Sequence, residues 1–243
     1  MEVPPRHPML RAHNAFRGGG FVRKYFTAWG LLGVALAGSG LAASYREVGA
    51  TVHVWTYNYA GAPPEAIAKA QQEASRILNR IGVNIEWVDC PRTAGERDLF
   101  PRCRLNSPLR PVVLRVFSGR PPAELASSLH ASGRAHLDGN GNGYLADVYV
   151  AGANVLAEAS PSQRASILGH LIAHELGHIF LASSEHARSG IMRPKWNKAD
   201  LRLAISGGLL FNAQQAKRIA SNLKSRARHV SLSASARRLH ESQ

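Results

Sequence analysis

The sequence predicts an α+β fold, a mixed sheet with a histidine-bearing helix followed by a C-terminal helix. Three observations carry this prediction. Short segments alternate β-branched and aromatic residues against polar ones, and an amphipathic helical pattern separates the first two of them. A longer helical pattern then brings His170, His174 and His178 to the edge of its apolar face. With 243 residues and 45% hydrophobic content, the chain can build one substantial core with appendages, and no internal repeat is visible.

In order along the chain, Arg17, Arg23 and Lys24 precede the apolar run "YFTAWGLLGVALAGSGLAAS", which closes in small residues around Gly40, Ala42 and Ala43. Charged, apolar, small is the order of a secretory signal peptide, and Met9 is an alternative start for it. The run also approaches the length of an uncleaved membrane anchor. On either reading, 1–43 is a targeting segment and Ser44 onward is expected outside the cytoplasm. A membrane partner is expected only if this segment stays attached.

"ATVHVWTYNYA" (50–60) sets Val52, Val54 and Thr56 against His53, Trp55 and Tyr57, a strand pattern. Pro63 and Pro64 open a helix whose Ile67, Ala70, Ala74, Ile77, Leu78 and Ile81 share one face, and Gly82 stops it. Strands follow at 83–90 and 110–119, and strand, helix, strand at this spacing implies a right-handed parallel crossover. Cys90 and Cys103 flank a loop rich in Pro and Arg. In an exported chain they are expected to form a structural disulfide, since no C-x-x-C spacing suggests redox work.

Residues 119–143 read as loop, ending in "HLDGNGNGYLADVYV". Asp138, Asn140, Asn142 and Gly143 match the first half of a calcium loop, but its twelfth position is Tyr149 and not Glu. Ca²⁺ therefore stands as the minor reading, beside a glycine-rich turn into a strand at 144–150. His130 and His136 read as solvated loop histidines, with a second metal as the sharper alternative.

The next helix announces its own start, with Ser160 as cap, Pro161 at its first position and Gln163 closing a capping box. Leu168, Leu171, Ile172, Leu176 and Ile179 form its core face. Two histidines four apart on a helix aim both imidazoles at a common point, which suits tetrahedral Zn²⁺. His174, Glu175 and His178 make the H-E-x-x-H arrangement, with Glu175 placed to take a proton without being a ligand. Such a site needs a third protein ligand, and His186 arrives in the polar stretch beyond the helix, with Met192 and Pro194 soon after. His170 has no glutamate beside it in sequence and reads as a neighbour or surface residue.

At these residues the chain resembles the metzincin clan of zinc endopeptidases, and its matrixin-like branch in particular. The clan's pattern is H-E-x-x-H-x-x-G-x-x-H followed by a methionine turn, and "HARSGIMRP" looks like the passage from third ligand to turn. Here Leu181 stands in place of the glycine and Ser184 in place of the third histidine, so His186 comes two residues late. Glu185 is the immediate rival as third ligand and Asp200 a distant one. The resemblance implies a twisted mixed sheet with an antiparallel edge strand, here 144–150, and a last helix at 211–223. It also implies Zn²⁺ on His174, His178 and His186, Glu175 as general base and Met192 as a floor beneath the metal. Residues 50–225 are covered, in detail only over 174–194.

The implied activity is hydrolysis of peptide or protein substrates, aligned along the edge strand. Two other classes stay open: an exported binding module with a structural zinc, and a zinc amidase acting on an envelope polymer. A net charge of +14 invites a nucleic-acid reading, but much of the excess lies in the two ends, and no nucleic-acid motif accompanies it. No nucleic-acid partner is expected. The basic tail from 227 to 243 is left with two readings, disordered or docked elsewhere.

Overall fold

The computed structural model describes residues 50–104, 110–121, 132–151 and 160–241. The targeting segment, the 44–49 link and His130 lie outside the described residues. Strand β1 (Ala50–Asn58) sends Val54 and Thr56 inward and leads into α1 (Pro64–Asn79), which buries Ile67, Ala70, Ala74, Ile77 and Leu78. Gly82, at φ +79°, turns the chain into β2 (Val83–Cys90), which pairs in parallel with β1. Each large side chain buried in this layer contributes about 1.5–3 kcal/mol through apolar area removed from water.

After β2, two short 3₁₀ turns (Ala94–Leu99 and Pro101–Cys103) return the chain, and the Cys90–Cys103 disulfide is formed, with Cα atoms 5.7 Å apart. Closing a loop of this length stabilises by about 3 kcal/mol. Strand β3 (Val112–Phe117) pairs in parallel with the other side of β1. Then come β4 (Gly133–Leu137) and β5 (Gly143–Tyr149). The described sheet has five strands in the order β2-β1-β3-β5-β4, all parallel except β4, which runs antiparallel to β5.

The antiparallel edge strand is therefore 133–137, and not 144–150 as the resemblance implied. β5 is interior: it pairs with β3 on one side and β4 on the other, and Ala146, Asp147, Val148 and Tyr149 are buried. Its apolar content follows from that burial, whereas "GRAHL", short and half-exposed, gave only a loop signal. Residues 138–142 form the hairpin turn, where Asp138 Oδ1 accepts the backbone N–H groups of Asn140 and Asn142 at 2.9 and 2.8 Å. The calcium-like spacing thus serves a turn.

Helix α2 (Pro161–Leu181) begins with Gln163 Oε1 accepting the Ser160 N–H at 3.0 Å, the returning arm of the capping box. It is buried along nearly its whole length and packs beside α1 beneath β4 and β5. Helix α3 (Lys198–Ile205) follows, with Asn197 Oδ1 accepting from Ala199 and Asp200 N–H. Helix α4 (Ala213–Glu241) is longer than the predicted 211–223 and continues through the basic tail. Its Asn222 and Arg226 side chains donate to the carbonyls of Phe180 and Ile179, two acceptors in the last turn of α2. No helix among the described residues is long and apolar enough to cross a membrane.

Candidate metal centre

The helical repeat alone brings His174 and His178 together, but it does not decide which ring nitrogen faces inward. Two backbone carbonyls do. His174 Nδ1–H donates to Ile191 O at 2.7 Å, and His178 Nδ1–H donates to Ser183 O at 2.8 Å. A carbonyl only accepts, so each Nδ1 carries the proton and each Nε2 is left bare. The two Nε2 atoms stand 3.2 Å apart.

Two bare nitrogens at that distance repel unless a proton or a cation lies between them. Protons are disfavoured: burial first, then the neighbouring imidazoles, holds His174 at about 3, and burial holds His178 at about 4. His186 is also lowered, by burial. One donor atom from each of His174, His178 and His186 lies within 4.8 Å of the others. Nitrogens around a tetrahedral zinc, with bonds of about 2.0 Å, stand about 3.3 Å apart. The donor set and its protonation fit a zinc ion, and these three residues would hold it.

His186 reaches the group through a turn that the sequence reading left open. The clan's glycine is absent, and Ala182 takes the left-handed conformation itself, at φ 49° and ψ 48°. Ser183 N–H then bonds to His178 O and Ala182 N–H to Ile179 O, at 3.2 and 3.3 Å, closing a Schellman motif at the end of α2. This turn also presents Ser183 O to His178 Nδ1. Ala187 N–H to Met192 O, 2.8 Å, ties the returning chain to the methionine turn.

Among the described residues no group of three or more candidate ligands includes Glu185 or Asp200. Glu185 is exposed on the rim of the cleft. Asp200 Oδ2 accepts from Arg193 and from the Asn197 N–H, both at 2.9 Å, as part of the α3 cap. Met192 is wholly buried, with Sδ so close to Gly177 that a Cβ there would sit 2.8 Å from it. The methionine thus packs against the helix between the two histidines. His170 is not a surface residue: it is fully buried, donates Nδ1–H to Ser166 O at 2.9 Å, and lies 3.5 Å from Glu73, a glutamate supplied by α1.

Glu175 is 5% exposed. Burial pushes its carboxyl up to about 8, against the lowering effect of a hydrogen bond from the Ala135 N–H, while the nearby Asp147 charge adds to the rise. The bond ties the carboxylate to β4, and Gly133 on the same strand leaves the space it occupies, since a Cβ there would lie 2.5 Å from Oε1. Between β4, the hairpin turn and residues 182–186 runs a cleft of about 940 Å³ whose lining includes Glu175, His178 and His186.

A second polar group escaped the sequence reading. Asp147, 4% exposed at its side chain, accepts two bonds of 2.7 Å from Arg115 and lies 2.8 Å from His136 Nε2. His136 is thus bound to the sheet and is not a free loop histidine. Only the register of β3 on β5, which sets Arg115 opposite Asp147, brings these charges together.

A mixed sheet lies above a helix that aims two imidazoles at the same point as a third from the loop beyond it, beside a buried carboxylate, an arrangement that suits a metal ion. In fold the chain is similar to an archaemetzincin from Methanopyrus kandleri, at 18% identity and a TM-score of 0.48, over 72% of this chain and 97% of that one. It is similar also to a zinc-dependent peptidase from Methanocorpusculum labreanum, at 15% identity and a TM-score of 0.48, over 68% of this chain and 99% of that one. No protein-family model and no curated protein sequence matches.

Proposed function

We propose that this protein is an exported zinc-dependent endopeptidase of metzincin type. One observation carries the reading: bare Nε2 atoms of His174 and His178, fixed by carbonyls and joined by His186, open beside a buried carboxylate beneath a sheet edge. Bound zinc would supply Lewis acidity and bring the pKa of a coordinated water to about 7. The charge of a bound zinc would favour the Glu175 carboxylate that burial alone disfavours, and in that form Glu175 accepts the proton of the attacking water and passes it to the leaving amine nitrogen. An extended substrate pairs its backbone along β4, Gly133–Leu137, an edge strand of the described sheet and the one that borders the cleft.

The matrixin-like placement rests on the stretch from His186 to Pro194 alone. Export is supported by the charged, apolar, small order of residues 17–43 and by the disulfide, which suits an oxidising compartment. The structural-zinc alternative gives Glu175 no role, although burying a carboxyl group is costly and one bond to β4 offsets only part of that cost. The test is Glu175→Gln, assayed for bound zinc and for casein cleavage. Retained zinc with activity down at least about a hundredfold is expected. Retained zinc with unchanged cleavage would exclude the peptidase mechanism.

A further inference from the structure

His174 owes its aim to Ile191 O, so whatever fixes that carbonyl acts on the metal site at one remove. The carbonyl has two lone pairs. One accepts His174 Nδ1–H at 2.7 Å, and the other accepts Trp196 Nε1–H at 3.2 Å. Ile191 N–H is bound in turn to Leu210 O at 3.0 Å, and the Ile191 side chain is wholly buried.

The indole is itself gripped from two sides. Its ring stands across the His174 ring at 6.1 Å and 76°, and across the His170 ring at 6.3 Å and 90°. His170 is held by Ser166 O, and its Nε2 is buried with no hydrogen-bond partner among the described residues. A buried, unsatisfied nitrogen costs about 1–3 kcal/mol. Keeping an imidazole there, against the flat indole, is consistent with a demand for rigid packing at this point.

We infer that Trp196 is a positioning residue for the metal centre, its indole N–H fixing the Ile191 carbonyl that orients the His174 ring and leaves Nε2 free to ligate. Without that N–H, the peptide group following Ile191 is held on this side by His174 alone. It then tilts with the imidazole, and the ligand loses its fixed direction. Outer partners of metal-ligating histidines typically govern about 10- to 100-fold in metal affinity, and one acting through a shared carbonyl belongs at the lower end of that range.

This inference rests on the zinc reading above, and the experiment separates the two. Zinc affinity is measured by competition with a chromophoric chelator for wild type, Trp196→Phe, and two proteins carrying a tryptophan analogue at position 196. The benzothienyl analogue keeps the bicyclic outline but replaces N–H with sulfur; 7-azatryptophan keeps the N–H. We expect zinc binding about tenfold weaker in Trp196→Phe and in the benzothienyl protein, and wild-type affinity in the 7-aza protein. A benzothienyl protein with wild-type affinity overturns the inference, because shape alone would then suffice. His174→Ala, run alongside, reports on the site itself. If it binds zinc as wild type does, or if wild type binds none, the zinc reading falls and the Trp196 inference falls with it.

Discussion

Gly133→Ala puts a single methyl group where the Glu175 carboxylate now lies. A Cβ built on Gly133 would stand 2.5 Å from Oε1, 2.6 Å from Cγ and 2.8 Å from Cδ of Glu175. Carbon and oxygen at rest stay about 3.3 Å or more apart, so base and strand must separate by roughly 0.8 Å. Misplacing a catalytic group by about 1 Å costs about a hundredfold in rate, and the expected loss in kcat is therefore about 10- to 100-fold. Overpacking adds about 1–3 kcal/mol of destabilisation. The assay is steady-state cleavage of a quenched fluorescent peptide, with zinc content and thermal midpoint measured on the same preparation. Gly139→Ala, in the nearby turn, is the control, because a Cβ there would meet nothing within 4 Å. Wild-type kcat in folded, zinc-loaded Gly133→Ala protein would refute the placement of Glu175 as the base beneath β4.

Two further outcomes test the surroundings of the site. Ala182→Gly should stabilise the protein by about 1 kcal/mol in urea unfolding, because the left-handed conformation at φ 49° burdens alanine and suits glycine, and zinc binding should persist. Asp147→Asn should cost about 1–2 kcal/mol at pH 7, because Arg115 keeps an acceptor but loses its charged partner and, at 34% side-chain exposure, is in part solvated. Burial alone would raise the Asp147 pKa, but the bonds from Arg115 and His136 prevail and lower it. Its stabilisation is therefore complete above the unfolded carboxylate value of about 3.9 and fades as pH falls through the lower folded value. The gap between wild type and variant in urea unfolding should narrow below pH 4; an equal gap at pH 3 and pH 7 would remove the charge from the explanation.

Periodicity carried most of the fold. Strands β1, β2, β3 and β5 and the starts of α1 and α2 were legible because burial imposes a period of two or of 3.6 on their side chains. Strand β4 was not legible. It has five residues, and none of them is buried. An edge strand of that kind is defined by the backbone it pairs with, so its antiparallel role was assigned to the apolar β5 instead. The Asp147 network was illegible for a related reason, since Arg115 and Asp147 meet only through the register of two strands far apart in sequence.

The site divides along the same line. His174, Glu175 and His178 stand out by spacing, but spacing does not set which nitrogen faces the metal. That choice belongs to Ser183 O and Ile191 O, and neither leaves a trace in residue identity, because any amino acid supplies a carbonyl. Both are placed by turns: Ser183 by the left-handed Ala182, and Ile191 by the turn from Gly190 to Arg193, closed by the Arg193 N–H bond to Gly190 O at 3.1 Å. The missing glycine at position 181 therefore does not weaken the case for His186. The chain makes its left-handed turn one residue later, at alanine, and the same turn that redirects it toward His186 fixes His178 as well. His178 and His186 are thus both placed by one backbone event, and a substitution that alters the turn should disturb both together.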